Sequence, residues 1–542
     1  MSRLLQERFH DRAQSRPEAL AVAGTQERLS YGELEAAANR LARLLAHLGC
    51  RRGDRIALLA PKSPRSIVGL LAALKAGAAY VPLDPAGPPE RLARMLETAD
   101  CSFILAGSAA AAMLRDTLAC ATLARRPQVG WLDSGDLSAP GEPRDFGARD
   151  AESFEASPPP LLSDADDLAQ LLFTSGSTGL PKGVMIAQRS VLAFLDWAQP
   201  HFGIGDTDRL SQHAPLHFDL SGFDIFGALT AGAELHLVPS ALSLLPHKLA
   251  QFIRDTRLTQ WFSVPAALTL MAHHGVVREG DFPSLRRVLW CGEALPTPTL
   301  IYWMRRLPHA RFTNLYGPTE ATIASSHYTV PRCPQDPREP IPIGVACAGE
   351  ELLVLDDALR PLPDGETGDL YIRGAGLSPG YWRDAEKTRA AFPACPGGAG
   401  REDRLYRTGD LARRDSDGCF HFVGRADTQI KSRGYRIELG EIEAALHTLP
   451  GLADSAVVAI PSGGFEGWLI CCAYVTAAPA EHSPARLRES LAQLVPGYML
   501  PARWLRCDAL PRNGNSKVDR PRLRAAFLEA TAPGVASVAA RA

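Results

Sequence analysis

Residues 174–183 read Thr-Ser-Gly-Ser-Thr-Gly-Leu-Pro-Lys-Gly and follow the apolar run Leu168–Phe173. The apolar run predicts a buried strand, so the loop lies at its carboxyl end. Small residues let backbone N–H groups approach an anion, the hydroxyls of Ser175 and Thr178 can donate to phosphoryl oxygens, and Lys182 adds a positive charge. The loop therefore has the chemical character of a phosphate loop. The pattern G-x-x-x-x-G-K-[ST] is absent, and an ordinary Gly/Ser turn is the alternative.

Composition limits the class of protein. With 542 residues and 46% hydrophobic content, the chain can fill more than one core. A net charge of −2 gives no reason to expect a nucleic-acid or membrane-surface partner. The 11 cysteines contain no C-x-x-C pair, which indicates reduced thiols. Since no apolar signal region and no bilayer-length apolar run occur, we expect a soluble cytoplasmic protein.

The segments before the loop alternate between helical and strand patterns. Ser30 with Glu33 predicts a capping box for a helix that Gly49 ends. Residues 55–60 predict a strand and residues 66–76 a helix, so the sheet should be mostly parallel and covered. Between about 121 and 167, Pro, Gly, Ser and Asp dominate and predict a surface linker.

The carboxyl-terminal part has a different pattern. Residues 424–438 concentrate cationic and amide side chains with two glycines and no apolar period, which is typical of a domain junction. Beyond it, helices are predicted over 438–446 and 485–494, and strands over 455–460 and 468–475. This pattern predicts a small α+β domain.

Four further residues are candidates for chemistry. Asp219 has apolar neighbours, so a buried carboxylate there needs a cationic or donor partner, although it could also cap a helix. Tyr316 could stack on a base and Glu320 could hold a metal, but Tyr-Gly-Pro-Thr is also a tight turn. Asp410, after a Gly turn, suits a pair of ribose hydroxyls.

These motifs together resemble the adenylate-forming superfamily of acyl-CoA synthetases, luciferases and non-ribosomal peptide synthetase adenylation domains, and are most similar to the last. The resemblance covers nearly the whole chain. The matching segments are residues 29–34, 74–85, 174–183, 218–219, 316–320, 368–374, 406–411, 424–443 and 496–501.

The resemblance implies an α/β fold. A large amino-terminal domain of layered, mostly parallel sheets with helices and a small barrel-like part would span residues 1–426. A small, mobile α+β domain carrying Lys517 would span 427–527, and the tail 528–542 is expected to be disordered.

The resemblance also assigns the nucleotide site, with ATP and Mg²⁺ as cofactors. Thr174, Ser175, Thr178 and Lys182 would handle the phosphates, Tyr316 would stack on adenine, and Asp410 would bind ribose. Thr319 and Glu320 would serve the α-phosphate and Mg²⁺. Asn314 and Arg425 would assist near the nucleotide, and Lys517 would stabilise the negative charge as a carboxylate attacks phosphorus. The catalytic set is Lys517, Thr174, Lys182, Glu320 and Arg425.

Two half-reactions are implied. An amino-acid carboxylate first displaces pyrophosphate and forms an aminoacyl adenylate. The small domain would then turn about the hinge Asp427 and bring Gly434 beside the thiol of a phosphopantetheinyl carrier protein, where a thioester forms.

In the expected amino-acid pocket, Asp219 pairs with the α-ammonium group, and Lys517 is a second charged residue that binds the substrate. The rest of the lining is apolar. Alignment by motif gives the lining Leu220, Phe223, Phe262, Leu289, Cys291, Leu315, Ile323 and Ala324. A polar substrate side chain would be buried without partners there, so we expect a small apolar amino acid. The set is similar to that of proline-activating ligases, and L-proline is our first choice. Cysteine, alanine and other small aliphatic amino acids remain open.

Departures from the family pattern are Ser516, Pro379 and Gly222. No carrier attachment motif follows Lys517, so we expect a free-standing enzyme that loads a separate carrier protein. A small accessory activator is a further candidate partner. A D-alanine:carrier ligase, an acyl-CoA synthetase and a non-catalytic ATP-binding homologue are the alternatives, and the last conflicts with the presence of Lys182, Glu320, Asp410 and Lys517.

Overall fold

The computed structural model describes residues 3–133, 143–176, 181–398, 403–462, 464, 467–476, 482–513 and 517–530. Contacts divide the chain into two compact units. The large unit comprises Met1–Pro85, Leu92–Phe173 and Gly183–Ala426, and the small unit comprises Ala86–Arg91, Thr174–Lys182 and Asp427–Ala542.

The helices of the described residues are α1 (Leu5–Ser15), α2 (Tyr31–His47), α3 (Pro64–Lys75), α4 (Pro89–Ala99), α5 (Ala111–Cys120), α6 (Ala148–Ala151), α7 (Gln188–Phe202), α8 (Leu220–Leu229), α9 (Pro246–Thr256), α10 (Pro265–His273), α11 (Thr297–Arg306), α12 (Ala385–Ala391), α13 (Leu439–His447), α14 (Pro484–Ala492) and α15 (Arg520–Glu529).

The strands are β1 (Leu20–Ala23), β2 (Arg28–Ser30), β3 (Arg55–Leu59), β4 (Ala79–Pro82), β5 (Phe103–Ala106), β6 (Gln128–Trp131), β7 (Phe146–Gly147), β8 (Leu168–Thr174), β9 (Lys182–Ala187), β10 (Arg209–Gln212), β11 (Glu234–Leu237), β12 (Gln260–Ser263), β13 (Arg287–Cys291), β14 (Arg311–Tyr316), β15 (Ser326–Thr329), β16 (Val345–Ala346), β17 (Glu350–Leu355), β18 (Thr367–Gly374), β19 (Gly380–Tyr381), β20 (Tyr406–Arg414), β21 (Phe420–Arg425), β22 (Gln429–Ser432), β23 (Tyr435–Glu438), β24 (Leu452–Pro461), β25 (Trp468–Thr476) and β26 (Arg503–Arg506).

The large unit is built on two large sheets. One has the strand order β16-β15-β14-β13-β12-β10-β11-β1-β2, and the other β19-β9-β8-β4-β3-β5-β6-β7. In the first sheet, the neighbouring strands β14, β13, β12, β10, β11 and β1 pair in parallel. Strands β15 and β16 at one end and β2 at the other pair antiparallel with their neighbours. The predicted α/β class with mostly parallel sheets is confirmed. The part expected to be barrel-like is a four-stranded antiparallel sheet, β17-β18-β20-β21.

Local sequence signals explain the element boundaries. The Ser30 hydroxyl accepts from the Glu33 amide at 3.2 Å, and the Glu33 carboxylate accepts from the Ser30 amide at 2.8 Å. This is the predicted capping box of α2, which satisfies two backbone donors at the helix start. Helix α3 starts at Pro64, where the missing N–H costs nothing.

The predicted linker between about 121 and 167 is wrong in part. Strands β6 and β7 lie in it and pair in parallel, and both extend the eight-stranded sheet. Trp131 and Phe146 are 2% and 3% exposed. Two short strands suffice to bury these rings, and segments of two to four residues are too short to stand out from a Pro- and Gly-rich background.

The small unit contains a hairpin, β22–β23, and the three-stranded sheet β24-β25-β26 with helices α13, α14 and α15. The helices and strands predicted for this part are confirmed within two residues at most boundaries. Cys471 and Cys472 are buried in β25, and all 11 cysteines have free thiols. Among the described residues, none of the helices has the length and apolar character needed to cross a membrane.

Candidate active site

Neighbouring parallel strands bring much of the predicted apolar pocket together. Phe262 on β12 lies opposite Leu289 on β13, and Cys291 on β13 lies opposite Leu315 on β14. Leu289 and Cys291 are two residues apart, so their side chains share one face of the sheet. Each of these four residues is at most 1% exposed.

Helix α8 carries two further residues of the predicted lining, Leu220 and Phe223, and follows the predicted amine ligand Asp219. The Ser221 hydroxyl donates to the carbonyls of Leu216 and Phe218, which fixes the turn into the helix. The Phe223 ring meets the Phe262 ring edge to face at a centroid distance of 5.5 Å. Asp219 occupies the N-cap position and is 8% exposed, but its side chain makes no capping hydrogen bond. The helix-capping alternative therefore does not explain this buried carboxylate.

The loop between β14 and β15 connects predicted nucleotide residues to predicted pocket residues. Thr319 and Glu320 come first, in a short 3₁₀ turn, and Ile323 and Ala324 follow. The Ser325 amide donates to the Tyr316 carbonyl at 2.8 Å and closes the loop. Predicted residues of both kinds thus lie within one closed loop.

Glu320 is held by residues that the sequence analysis did not identify. Its side chain is fully buried, and Oε1 accepts a hydrogen bond from the Tyr381 hydroxyl at 2.8 Å. The Glu320 carbonyl accepts from the Ser378 amide at 2.8 Å. Both partners lie about 60 positions further along the chain, next to the noted departure Pro379, and no local pattern marks them.

Tyr316, Asp410 and Arg425 form one hydrogen-bonded group. The Tyr316 hydroxyl donates to Asp410 Oδ2 at 2.5 Å, and Arg425 Nη1 donates to Oδ1 at 2.5 Å. Asp410 and Arg425 are also register partners on β20 and β21. Burial, followed by the charge of Asp410, raises the pKa of Tyr316 well above its usual value, so the phenol stays a proton donor. Both Asp410 oxygens already accept one hydrogen bond each.

Thr408 supports this group, whereas Asn314 is held by a different segment. The Thr408 hydroxyl accepts from the Asp410 amide at 3.0 Å and donates to the Leu370 carbonyl at 2.7 Å. Asn314, expected near the nucleotide, donates to the Pro342 carbonyl at 2.8 Å and is 6% exposed. Thr408 was not identified from sequence, although it lies within the quoted motif Tyr406–Leu411.

The predicted phosphate loop follows β8, as expected. Thr174 Oγ1 is buried and has no hydrogen-bond partner among the described residues. The Ser175 hydroxyl donates to the backbone carbonyl of Arg436 at 2.7 Å. Lys182 opens β9. Thr178 lies outside the described residues, as does the departure Ser516.

The small unit also carries the remaining predicted residues. Asp427 Oδ1 accepts from the Gln429 amide at 3.0 Å. Arg433 and Gly434 form the turn between β22 and β23 with φ of 53° and 84°, and two positive φ values are the pattern of a type I′ hairpin turn. Lys517 is exposed, and its amide donates to Asn513 Oδ1 at 3.1 Å.

The residues present suit ATP and Mg²⁺. In the small unit, the unpartnered Thr174 hydroxyl is a donor that a phosphoryl oxygen can satisfy. In the large unit, the buried Glu320 offers the carboxylate oxygens that Mg²⁺ prefers, and Asp410 offers an acceptor for ribose hydroxyls.

A second group of metal-ligand types lies at the turn of the β20–β21 hairpin. Ligand atoms of Asp415, Cys419 and His421 all lie within 4.8 Å of one another. His421 Nε2 is 2.8 Å from Asp415 Oδ2, and Asp415 Oδ1 accepts from the Cys419 amide at 2.9 Å. Because these hydrogen bonds already account for the arrangement, the group carries no functional assignment.

Two known family models match parts of the chain. Residues 9–382 match the model described as "AMP-binding enzyme", and residues 441–517 match "AMP-binding enzyme C-terminal domain".

Similar proteins include two enzymes named L-proline--[L-prolyl-carrier protein] ligase. The one from Streptomyces coelicolor is 37% identical over 502 residues, which are 91% of each chain. The one from Pseudomonas fluorescens is 35% identical over 96% of this chain and 98% of its own. An isonitrile lipopeptide synthase of Mycobacterium tuberculosis is 38% identical over 94% of this chain, but the match spans only 19% of that protein.

Solved structures agree in fold. The Vibrio cholerae adenylation domain AlmE, solved with glycyl-adenosine-5'-phosphate, has a TM-score of 0.84 and 26% identity and covers 98% of each chain. The amide bond synthetase McbA from Marinactinospora thermotolerans has a TM-score of 0.85 at 26% identity, over 97% of this chain and all of its own. The chain therefore belongs to the AMP-binding enzyme family, as its motifs predict.

Proposed function

We propose that this chain activates a small apolar amino acid, with L-proline as first choice, and loads it onto a phosphopantetheinyl carrier protein. ATP would supply the adenylyl group, and pyrophosphate and AMP would be the leaving groups of the two half-reactions. The proposal extends the family's AMP-forming chemistry to a substrate and an acceptor.

The observation that carries the substrate class is a buried acid next to a wholly apolar set. Asp219 is 8% exposed and precedes α8, whose Leu220 and Phe223 belong to the predicted lining. The eight lining residues are at most 6% exposed, and none is charged. A substrate ammonium group would pair ionically with the Asp219 carboxylate, whereas a polar substrate side chain would have only apolar lining residues around it.

Proline fits this chemistry. Its secondary ammonium keeps two N–H donors for Asp219, and its compact ring is apolar. The two carrier-protein ligases that match over almost their whole length are named for L-proline. Both facts favour proline over cysteine, alanine and other small aliphatic amino acids.

In the first half-reaction, a carboxylate oxygen of the amino acid attacks the α-phosphorus of ATP. The bond to the bridging oxygen breaks, and pyrophosphate leaves with the electron pair. Asp219 would hold the ammonium group, and Lys517 would offset the negative charge that accumulates on the phosphoryl oxygens.

The remaining nucleotide contacts would position ATP. Asp410 would accept from the ribose hydroxyls, and the Tyr316 ring would stack on adenine, with Asn314 and Arg425 nearby. Thr174, Ser175, Thr178 and Lys182 would bind phosphates, and Thr319 would contact the α-phosphate. Glu320 would hold Mg²⁺, which neutralises phosphate charge when bound.

In the second half-reaction, the pantetheine thiol sulfur attacks the carbonyl carbon of the adenylate. The thiol loses its proton to solvent, a thioester forms, and AMP leaves. We propose that residues 427–527 form the domain that reorients about Asp427 and presents Gly434 along the pantetheine path. Under this proposal residues 1–426 form the nucleotide and amino-acid domain.

Amino-acid-dependent ATP–pyrophosphate exchange tests the proposal. The panel would contain the common amino acids, D-alanine, and several aryl and fatty acids. We expect exchange with proline above all others. Exchange with another small apolar amino acid would overturn proline and keep the class, whereas exchange only with fatty or aryl acids would overturn the role of Asp219.

Lys517→Ala tests the first half-reaction directly. We expect adenylation to fall by about 100-fold or more, because an electrostatic contact made mainly in the transition state is lost. Arg522→Ala is a control on the same terminal segment. Undiminished adenylation in Lys517→Ala would mean that this lysine is not catalytic. Transfer is then measured with a phosphopantetheinylated carrier protein against coenzyme A, with and without candidate accessory proteins.

A further inference from the structure

The loop between β14 and β15 turns through two residues in the left-handed region. Thr322 has a φ of 53° and Ile323 a φ of 72°. Both side chains are β-branched, and such residues are genuine outliers at positive φ. A conformation of this kind persists only when its surroundings hold it. The turn joins Glu320, on the nucleotide side, to Ile323, in the predicted amino-acid pocket.

Hydrogen bonds within the loop account for part of that restraint. The Ala324 amide donates to the Thr322 carbonyl at 2.9 Å. The Thr322 hydroxyl donates to the Gly376 carbonyl at 2.7 Å, which ties the turn to the segment after β18. Gly376 is therefore an external anchor of the strained turn.

The anchor is itself held by a carboxylate. Glu350, the first residue of β17, accepts from the Gly376 amide through Oε1 at 2.7 Å. A Cβ on Gly376 would lie 2.9 Å from Glu350 Oε1 and 3.0 Å from the Ala321 carbonyl oxygen. A side chain at Gly376 would therefore crowd both groups, and the glycine lets the Glu350 carboxylate and the loop backbone approach it closely.

The environment of Glu350 indicates a role as hydrogen-bond acceptor. Its Oε2 is buried and has no hydrogen-bond partner among the described residues. Burial raises the pKa of Glu350 to about 7, with the Gly376 hydrogen bond opposing the shift. The hydrogen bond from the Gly376 amide offsets part of this burial cost.

We propose that Glu350 is a positioning residue: through Gly376 and Thr322 it fixes the left-handed turn that sets Ile323 in the amino-acid pocket. The pocket role rests on the function proposed above, whereas the restraint on the turn does not. Cys291 Sγ lies 3.8 Å from the Ile323 carbonyl, and Ile323 Cδ1 would contact a Cβ at Gly222 at 3.6 Å. Release of the turn therefore moves a pocket wall between β13 and α8.

The consequence is a loss of selectivity. When Ile323 is less restrained, the pocket admits amino acids with larger side chains and no longer favours the small apolar substrate. The ratio of kcat/KM between the preferred amino acid and a larger apolar one measures this, and it does not depend on the fraction of folded enzyme. A general loss of stability would leave the ratio unchanged.

The test compares Glu350→Met with Glu350→Gln. Met removes the acceptor, so we expect the selectivity ratio to fall about tenfold, in line with the cost of small misplacements at a reacting site. Gln keeps a carbonyl oxygen for the Gly376 amide, and its ratio should stay within about twofold of the wild-type ratio. Glu351→Met is the matched control, because Glu351 is the next residue on β17 and pairs with Arg373 at the surface.

Hydrogen exchange provides a readout that needs no activity. We expect amides of residues 322–325 to exchange about tenfold faster in Glu350→Met than in wild type, Glu350→Gln and Glu351→Met, because the loop opens locally. Thr322→Ala should reproduce the effect and Thr322→Ser should not. Unchanged exchange in Glu350→Met overturns the restraint. Faster exchange with an unchanged selectivity ratio overturns the pocket role, and absence of amino-acid-dependent activity in wild type overturns the proposed function alone.

Discussion

At the scale of single residues, buried polar groups carry the functional argument. Asp219 and Glu320 are both nearly inaccessible, and a carboxylate leaves water only when donors or cations compensate. Glu320 has Tyr381 as one donor. For Asp219, the proposed function adds the substrate ammonium group as a compensating cation.

Asp219→Asn tests that compensation. We expect the amino-acid kcat/KM to fall by about 100-fold or more, because the substrate ammonium loses a buried ionic partner. The corresponding des-amino acid should be affected little, so the preference for the amino acid disappears. Asp206→Asn, at an exposed carboxylate of the same unit, is the control. An unchanged preference would remove Asp219 from the amine site.

Tyr316→Phe separates stacking from hydrogen bonding. The ring stays, but the donor to Asp410 Oδ2 is lost. We expect the KM for ATP to rise about 3- to 10-fold with a smaller change in kcat, since one hydrogen bond to a charged group is removed. Pyrophosphate exchange at varied ATP measures both constants. A large fall in kcat with an unchanged KM would contradict a positioning role.

At the scale of elements, strand pairing places several of the predicted site residues. The Asp410–Arg425 register on β20 and β21 and the Phe262–Leu289 register on β12 and β13 follow from strand pairing. The sequence predicted β8 and the residues of these motifs. It did not predict which strands are neighbours, because pairing joins segments that are distant in sequence.

Strand β15 provides a pH-dependent prediction. His327 lies opposite Leu315, and its ring is 4.4 Å from that of His201 on α7. Burial, with a contribution from His201, lowers the pKa of His327 from 6.5 to about 4. Between these pH values the unfolded chain binds more protons than the folded chain, so stability rises with pH. The stability that depends on neutral His327 is fully present above pH 6.5 and is lost as the pH falls toward 4.

The measurement is the urea unfolding midpoint of the large unit at pH values from 4.5 to 7, with tryptophan fluorescence as the probe. We expect His327→Phe to reduce the increase in the free energy of unfolding over this pH range by about 1–3 kcal/mol. The variant keeps an aromatic ring beside Trp197. His247→Gln, at an exposed histidine on α9, should leave the slope as it is. An equal slope in wild type and His327→Phe would refute the assignment.

At the scale of the whole molecule, the chain is an AMP-binding enzyme, that is, an ATP-dependent, AMP-forming ligase. Its large unit also contains a buried ionic group that joins three helices. Glu35 Oε1 on α2 accepts from Lys75 on α3 at 2.9 Å, from Asn39 at 3.1 Å, and lies 2.8 Å from His10 Nδ1 on α1. Lys75 and Glu35 are both 5% exposed.

Lys75→Met should destabilise the large unit by about 3–5 kcal/mol, because it leaves a buried carboxylate without its cation. The double variant Lys75→Met/Glu35→Gln should recover much of that loss, since the neutral amide still accepts from Asn39. Urea midpoints measure both, with pyrophosphate exchange per folded protein expected to stay constant. Equal destabilisation by single and double variants would show that the ion pair is not the cause.

The sequence alone determined the elements whose causes are local. The α2 capping box, the strand β8 and the helices and strands of the small unit depend on residues within a few positions of one another, and these predictions are confirmed. The family could be recognised from the sequence because its motifs occur along the chain in the order found in the family. The roles of the individual site residues stay predictions.

Only the tertiary structure decided which distant groups meet. The pairs Tyr316–Asp410, Tyr381–Glu320 and Glu350–Gly376 are separated by 94, 61 and 26 positions. Each is a hydrogen bond whose geometry depends on strand order and on loop paths, and no spacing in the sequence encodes it. For the same reason Glu350 and Tyr381 could not be identified as candidates until the packing around Glu320 and the β14–β15 loop was known.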